Sequence, residues 1–185
     1  SDIVLCMTEF KQKIWMGTDG GGINILDPTT GNITVLEHIS GDNHSLPTNT
    51  ILCLHSDSAG NIWAGSKREG VINIREVSMR TYTNVVLGHN KGLSQSTVLQ
   101  LYQEPASEEL WIATDGGGIN KFIPSTETFV HYPDTWGDKM VSITSFTPNE
   151  LLVSAFSKGI FIFDKKTGKK RPFAIMSPSL EHHIR

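Results

Sequence analysis

The sequence predicts an all-β β-propeller with four four-stranded antiparallel blades, on three observations. A tryptophan-centred motif recurs every 48 residues. Each copy breaks into four short segments rich in Ile, Val, Thr and Tyr and bounded by Gly, Pro, Asn and Asp, the pattern of strands and hairpin turns. No stretch holds a helical period long enough to matter. Four antiparallel strands in about every 40–50 residues make one propeller blade.

The units follow in order. Trp15, Trp63 and Trp111 stand in KIWMGTDGGGINI, NIWAGSKREGVINI and ELWIATDGGGINK, and a glycine follows each seven places on: Gly22, Gly70 and Gly118. A fourth, more worn copy, ELLVSAFSKGIFIF, has Leu152 in the Trp slot and Gly159 seven later. In the second unit TILCLHS, IWAGS, VINIRE and MRTYTNV are the expected strands, with the turn DSAGN and the loop KREG between the first three. The expected blades span 3–38, 48–87, 95–132 and 139–173, and 174–185 resembles the lead-in of earlier units. That tail points to four blades of a longer propeller. A self-closed four-bladed ring is the rival.

The glycine triplets, Gly20–Gly22 and Gly116–Gly118, pose a choice. A phosphate-binding glycine loop needs a helix after it, whose N-terminus faces the anion. Here the strands INIL and INKF follow, so the nucleotide reading fails on context. The triplets are expected to be tight second-to-third strand connections in which glycine takes positive φ without penalty. A bare backbone approached by a ligand is the other reading. Cys6 and Cys53 fill the same slot of successive first strands, VLCM and ILCL, and read as small buried hydrophobes rather than a disulfide or reactive thiol.

Bulk properties narrow the classes. The chain has 185 residues, 38% hydrophobic and 19% charged, with a formal net charge of -3. That suits a folded domain and gives no global pull toward nucleic acid or anionic lipid. There is no apolar run of membrane-spanning length, and no signal peptide precedes the first strand-like stretch, which bears in neither direction on secretion. The two cysteines form no disulfide framework and match no metal spacing. No cofactor is expected.

LPTNTILCLHSDSAGNIWAGS (Leu46–Ser66) and LWIATDGGGINKF (Leu110–Phe122) resemble the two-component regulator propeller repeat: Leu-Pro, Asn, an apolar alternation, Asp, Gly, Ile-Trp, Gly-Thr, Gly-Gly-Leu and an aromatic. The likeness runs from Ile3 to about Phe173, strong in three units and weak in the fourth, which lacks the Trp and the Gly-Thr. The resemblance implies a periplasmic sensor of oligosaccharides, part of an inner-membrane hybrid histidine kinase and response regulator. It implies seven-bladed propellers, two in series. The partners it implies are an oligosaccharide, acidic or sulfated among the options, the rest of the propeller, a second propeller and a second copy in a homodimer. Nucleic-acid contact by this segment is not among them.

Catalytic signatures are scarce. There is no Gly-x-Ser-x-Gly elbow, no HExxH and no Cys/His cluster. Asp19 and Asp115 hold matching loop positions two blades apart, and glycosidase carboxyls must stand within about 5–9.5 Å of each other. The plain reading is that each Asp caps its own turn. Binding is easier to support. In a propeller the second-to-third strand loops and the blade-to-blade loops share one face. Those loops carry Asp19, Asn43, His44, Lys67, Arg68, His89, Asn90, Lys91, Asp115, Trp136 and Lys158. Aromatic, amide and charged groups suit sugar faces and hydroxyls, and the cations suit uronate or sulfate; the plain alternative is a solvated polar surface. Trp136 breaks the repeat, and can cap a blade, stack on a ligand or sit in an interface. The basic run Lys165, Lys166, Lys169, Lys170 and Arg171 is expected to be solvated on the opposite face. Ligand sensing leads, a non-catalytic interaction propeller follows, and a propeller glycosidase or lyase comes last.

Overall fold

The computed structural model describes residues 3–42, 44–75, 78–84, 90–105 and 107–174. It holds four four-stranded antiparallel sheets in which sequence neighbours pair. The first blade is β1 (Val4–Phe10), β2 (Lys13–Thr18), β3 (Ile23–Leu26) and β4 (Ile33–Leu36). The second is β5 (Ile51–Ser56), β6 (Ile62–Ser66), β7 (Val71–Arg75) and β8 (Ser78–Tyr82). The third is β9 (Val98–Gln103), β10 (Leu110–Thr114), β11 (Gly118–Ile123) and β12 (Thr128–His131). The fourth is β13 (Met140–Thr147), β14 (Glu150–Ala155), β15 (Gly159–Asp164) and β16 (Lys170–Pro172). The all-β propeller fold read from the repeat is the fold adopted. Among the described residues there is no α-helix; one 3-10 turn, Pro133–Thr135, breaks the loop before the fourth blade, where proline presets the φ of its first residue.

The core lies in three seams between successive blades. Ile23, Ile25, Ile51, Ile62 and Ile74 close the first. Trp63, Val71, Val98, Leu101 and Phe122 close the second. Trp111, Ile119, Met140, Ile143 and Phe163 close the third. Each such side chain contributes about 1.5–3 kcal/mol by leaving water. Strands β6 and β10 are buried along their whole length. They therefore read as continuous apolar runs rather than as alternating strands. The seam tryptophans reach forward: Trp63 packs on Phe122 of the third blade and Trp111 on Phe163 of the fourth.

Glycine is required where blades or strands approach too closely for a β-carbon. A Cβ on Gly65 would lie 2.3 Å from Cys53 Sγ and 2.6 Å from Val98 of the next blade. Gly22 has φ +69°, and its Cβ would meet the Leu36 carbonyl at 2.1 Å. The triplets are thus tight turns, but aspartate does not cap them. Thr18 Oγ1 accepts from Gly21 N at 2.9 Å and donates to the Gly22 carbonyl at 3.0 Å. Ser66 and Thr114 bond the Gly70 and Gly118 carbonyls in the same way, at 2.9 and 2.8 Å. A β-branched or small hydroxyl at the strand end reaches its own turn, while the aspartate beside it points on to the next blade.

Candidate functional site

The two loop sets meet on one face. Gly20 N and Gly22 N donate to the Asn49 carbonyl at 3.0 and 2.9 Å, Gly70 N to Ser96 O at 2.9 Å, and Gly116 N to Asp138 O at 3.1 Å. Each glycine turn is thereby tied to the segment that connects its blade to the next.

At the position after each capping hydroxyl the chain clasps the following blade. Thr50 Oγ1 donates to Asp19 Oδ1 at 3.2 Å, and the two residues form a backbone bridge. The Thr97 hydroxyl donates to the Lys67 carbonyl. Lys139 Nζ pairs with Asp115 Oδ2 at 3.0 Å. Asp19 and Asp115 are therefore engaged in separate seams and form no carboxylate pair. Lys67, Arg68, His44, Asn90 and Lys91 are exposed. His44 N donates to Asp42 Oδ1 at 2.8 Å inside its own connector. Trp136 follows the 3-10 turn and is 55% exposed. Asn43 and His89 lie outside the described residues.

Lys158 is not a free cation. It pairs with Asp138, and Lys170 pairs with the same carboxylate. Asp138 is only 2% exposed. Burial opposes its charge, but bonds and attraction from Lys158 and Lys170 win, holding the carboxyl below the usual carboxylate range. The sequence pattern missed Asp138, because its two partners come from the next blade. Lys170 also corrects the reading of the basic run as solvated. Lys165 pairs with Glu104 of the third blade at 2.7 Å, and Arg171 with Glu150 at 2.9 Å. Blade twist swings the outer strand β16 over the third connector, where Lys170 N also donates to Asp134 Oδ2 at 2.9 Å.

Two clefts lie outside the loops that the sequence singled out. One, about 320 Å³, is bounded by Asp57, Arg75, Tyr82, Gln103 and Glu108. The other, about 340 Å³, is more apolar, with Phe10, Trp15, Ile25, Ile74 and Met79. Asp57 anchors the first: it accepts from Trp63 Nε1 at 2.8 Å and from Asn61 N at 2.7 Å. Burial works against its charge, yet these bonds keep its carboxyl below the ordinary value. Burial pushes the Cys6 thiol up to about 11 and the Cys53 thiol higher still, so both stay protonated and inert near neutrality. No group of three or more His, Cys, Asp or Glu among the described residues could hold a metal. None of their helices is long and apolar enough to cross a membrane.

Residues 45–68 match the two-component regulator propeller family. No curated protein matches the chain by sequence. Among solved structures, the extracellular domain of a B. thetaiotaomicron protein described as a hybrid two-component system superposes with a TM-score of 0.80 at 20% identity. The match covers 94% of this chain and 25% of that one, so the chain spans a quarter of that domain's length. Virginiamycin B lyase from Staphylococcus aureus superposes with a TM-score of 0.70 at 18% identity, covering 95% of this chain and 56% of the lyase. The computationally designed Ika8 protein gives 0.61 at 16% identity, covering 90% of this chain and 47% of its own. At these identities the shared property is the fold. The chain carries a two-component regulator propeller repeat, at residues 45–68, within a β-propeller.

Proposed function

We propose that this chain is part of the extracytoplasmic, periplasmic sensor propeller of a two-component regulator and that it binds an oligosaccharide on its loop face. The observation that carries the reading is the regulator repeat at residues 45–68, set in a propeller whose fold is shared with an extracellular two-component domain. The loop face supports the sugar. Trp136 offers a flat apolar surface to a pyranose ring, and exposed Lys67 and Arg68 offer donors to hydroxyls, uronate or sulfate. Asp19, Asp115 and Lys158 border the face as clasps that hold the loops in place. His44, exposed on its connector, belongs to the same proposed surface, and the sequence alone adds Asn43 and His89 to it. Binding signals by favouring one of two arrangements of the larger assembly. The segment itself is read as non-catalytic: Asp19 and Asp115 are spent on separate seams, and the likeness to a lyase is one of fold.

A second reading has its own observation. Ile3, Val4, Leu5 and Met7 on the first blade, and Phe146, Phe156 and Ile160 on the fourth, are exposed. Such faces are covered by further blades of a longer protein or by a second copy. Light scattering followed by thermal shift across a glycan panel separates the two. Sensing predicts a shift with one glycan class that is lost in Trp136→Ala and Arg68→Ala. A stable dimer with no shift for any glycan would transfer the function to the apolar faces.

A further inference from the structure

Two buried donors among the described residues have no partner, Asn73 Nδ2 in the second seam and Trp111 Nε1 in the third, and of the two only Asn73 borders a described cavity. Asn73 pairs across the strands with Trp63, whereas Ile25 faces Trp15 and Lys121 faces Trp111 at the equivalent positions. Lys121 is matched by Glu109 at 2.9 Å. Asn73 is only 2% exposed. Arg75 Nε donates to its Oδ1 at 2.9 Å, which fixes the amide with oxygen toward Arg75. The Nδ2 group that remains is buried and meets no acceptor among the described residues. A buried donor without a partner is costly, and proteins rarely keep one without use.

Asn73 forms the wall of a cavity of about 420 Å³ together with Arg75, Met79, Arg80 and Glu127. Arg80 is compensated by Glu127. Arg75 makes no ion pair among the described residues, so one guanidinium charge stands beside one unpaired donor. Both arginines are exposed and multi-jointed, and a rotamer change opens the cavity over the amide. The adjoining cleft of about 320 Å³ shares Arg75 and Glu127 and adds Gln103, Glu108, Asp57 and Tyr82.

We propose that this seam binds a small hydroxylated monocarboxylate, with one carboxylate oxygen on Asn73 Nδ2 and the other on the Arg75 guanidinium. A carboxylate is the acceptor that a neutral N–H and a cation can share. The acceptor oxygens of Gln103 and Glu108 suit hydroxyl donors on the body of the ligand. The negative charge of Glu108 and Asp57 in the same cleft turns away a polyanion and limits the ligand to a single acid group. The site is separate from the loop face and stands whether or not that face binds sugar.

Isothermal titration of the whole chain with sodium D-glucuronate, and with D-glucose as the neutral counterpart, tests the assignment. Glucuronate binds, glucose binds at least about tenfold more weakly, and Asn73→Leu and Arg75→Met each weaken glucuronate binding at least about tenfold. Asn73 and Arg75 stand off the loop face, so loss of binding in their variants separates this site from that face. Asn73→Leu removes an orphaned donor at a slot that Ile25 fills in the first blade, so the fold is retained. Should it not fold, Arg75→Met and a glucuronate-dependent shift of the Asn73 side-chain amide resonance in the unaltered chain decide the matter. No glucuronate binding, equal binding of glucose, binding indifferent to the substitutions, or an unmoved Asn73 resonance would overturn the proposal.

Discussion

Asp138 shows what a single residue does at a seam. Its carboxylate, almost wholly buried, takes an ammonium from each of two lysines of the next blade. Replacing it with asparagine leaves both lysines short of a counter-charge. The expected cost is about 1–3 kcal/mol in urea unfolding. Its folded pKa lies below the ordinary value of about 3.9. The stabilisation is therefore complete above that ordinary value and drains away as pH falls through the lower folded one. Urea midpoints from about pH 6 to about pH 2 should fall less steeply in Asp138→Asn than in the parent. None of this was legible in the sequence, where WGDK offers only a turn-like acid. By contrast, the burial of Trp63 and Trp111 was plain from their repeated slot between apolar neighbours. The clasps made by Asp19 and Asp115 are not legible in the sequence either, because their partners, Thr50 and Lys139, stand in another blade.

At the scale of the strand, close approach rather than propensity decides which small residue is kept. Gly65 faces Cys53 in the register of β6 and β5, and a β-carbon there would collide with both that thiol and Val98. Gly65→Ala is expected to cost about 1–3 kcal/mol through overpacking. In the third blade the same slot already holds Ala113, opposite Gln100. Ala113→Gly should cost only about 0.5–1 kcal/mol, mostly as lost backbone restriction. Chemical denaturation of both variants checks the contrast. The Trp-to-Gly spacing made these strands and turns readable. The 3-10 turn and Asn73 are not, because each departs from the repeat.

Among the described residues the main contacts between blades join neighbours in the sequence. Stability in such arrays is close to a sum of unit and interface terms. The inner strands β6 and β10 are buried throughout, while β1 and β16 are exposed for much of their length. Amide hydrogen exchange should therefore be slowest in β6 and β10 and fastest in β1 and β16. Equal protection across all four blades would mean that the exposed end faces are covered in solution.

The seams also differ in kind. Ion pairs of Asp115 with Lys139, Asp138 with Lys158 and Lys170, and Glu104 with Lys165 bind the fourth blade to the third. Isoleucines dominate the joint between the first and second. Added electrolyte screens the exposed Asp115–Lys139 pair most and the pairs of buried Asp138 least. Added salt thus loosens only the exposed pairs around the apolar core of one joint, while the isoleucine joint answers to agents that dissolve hydrocarbon.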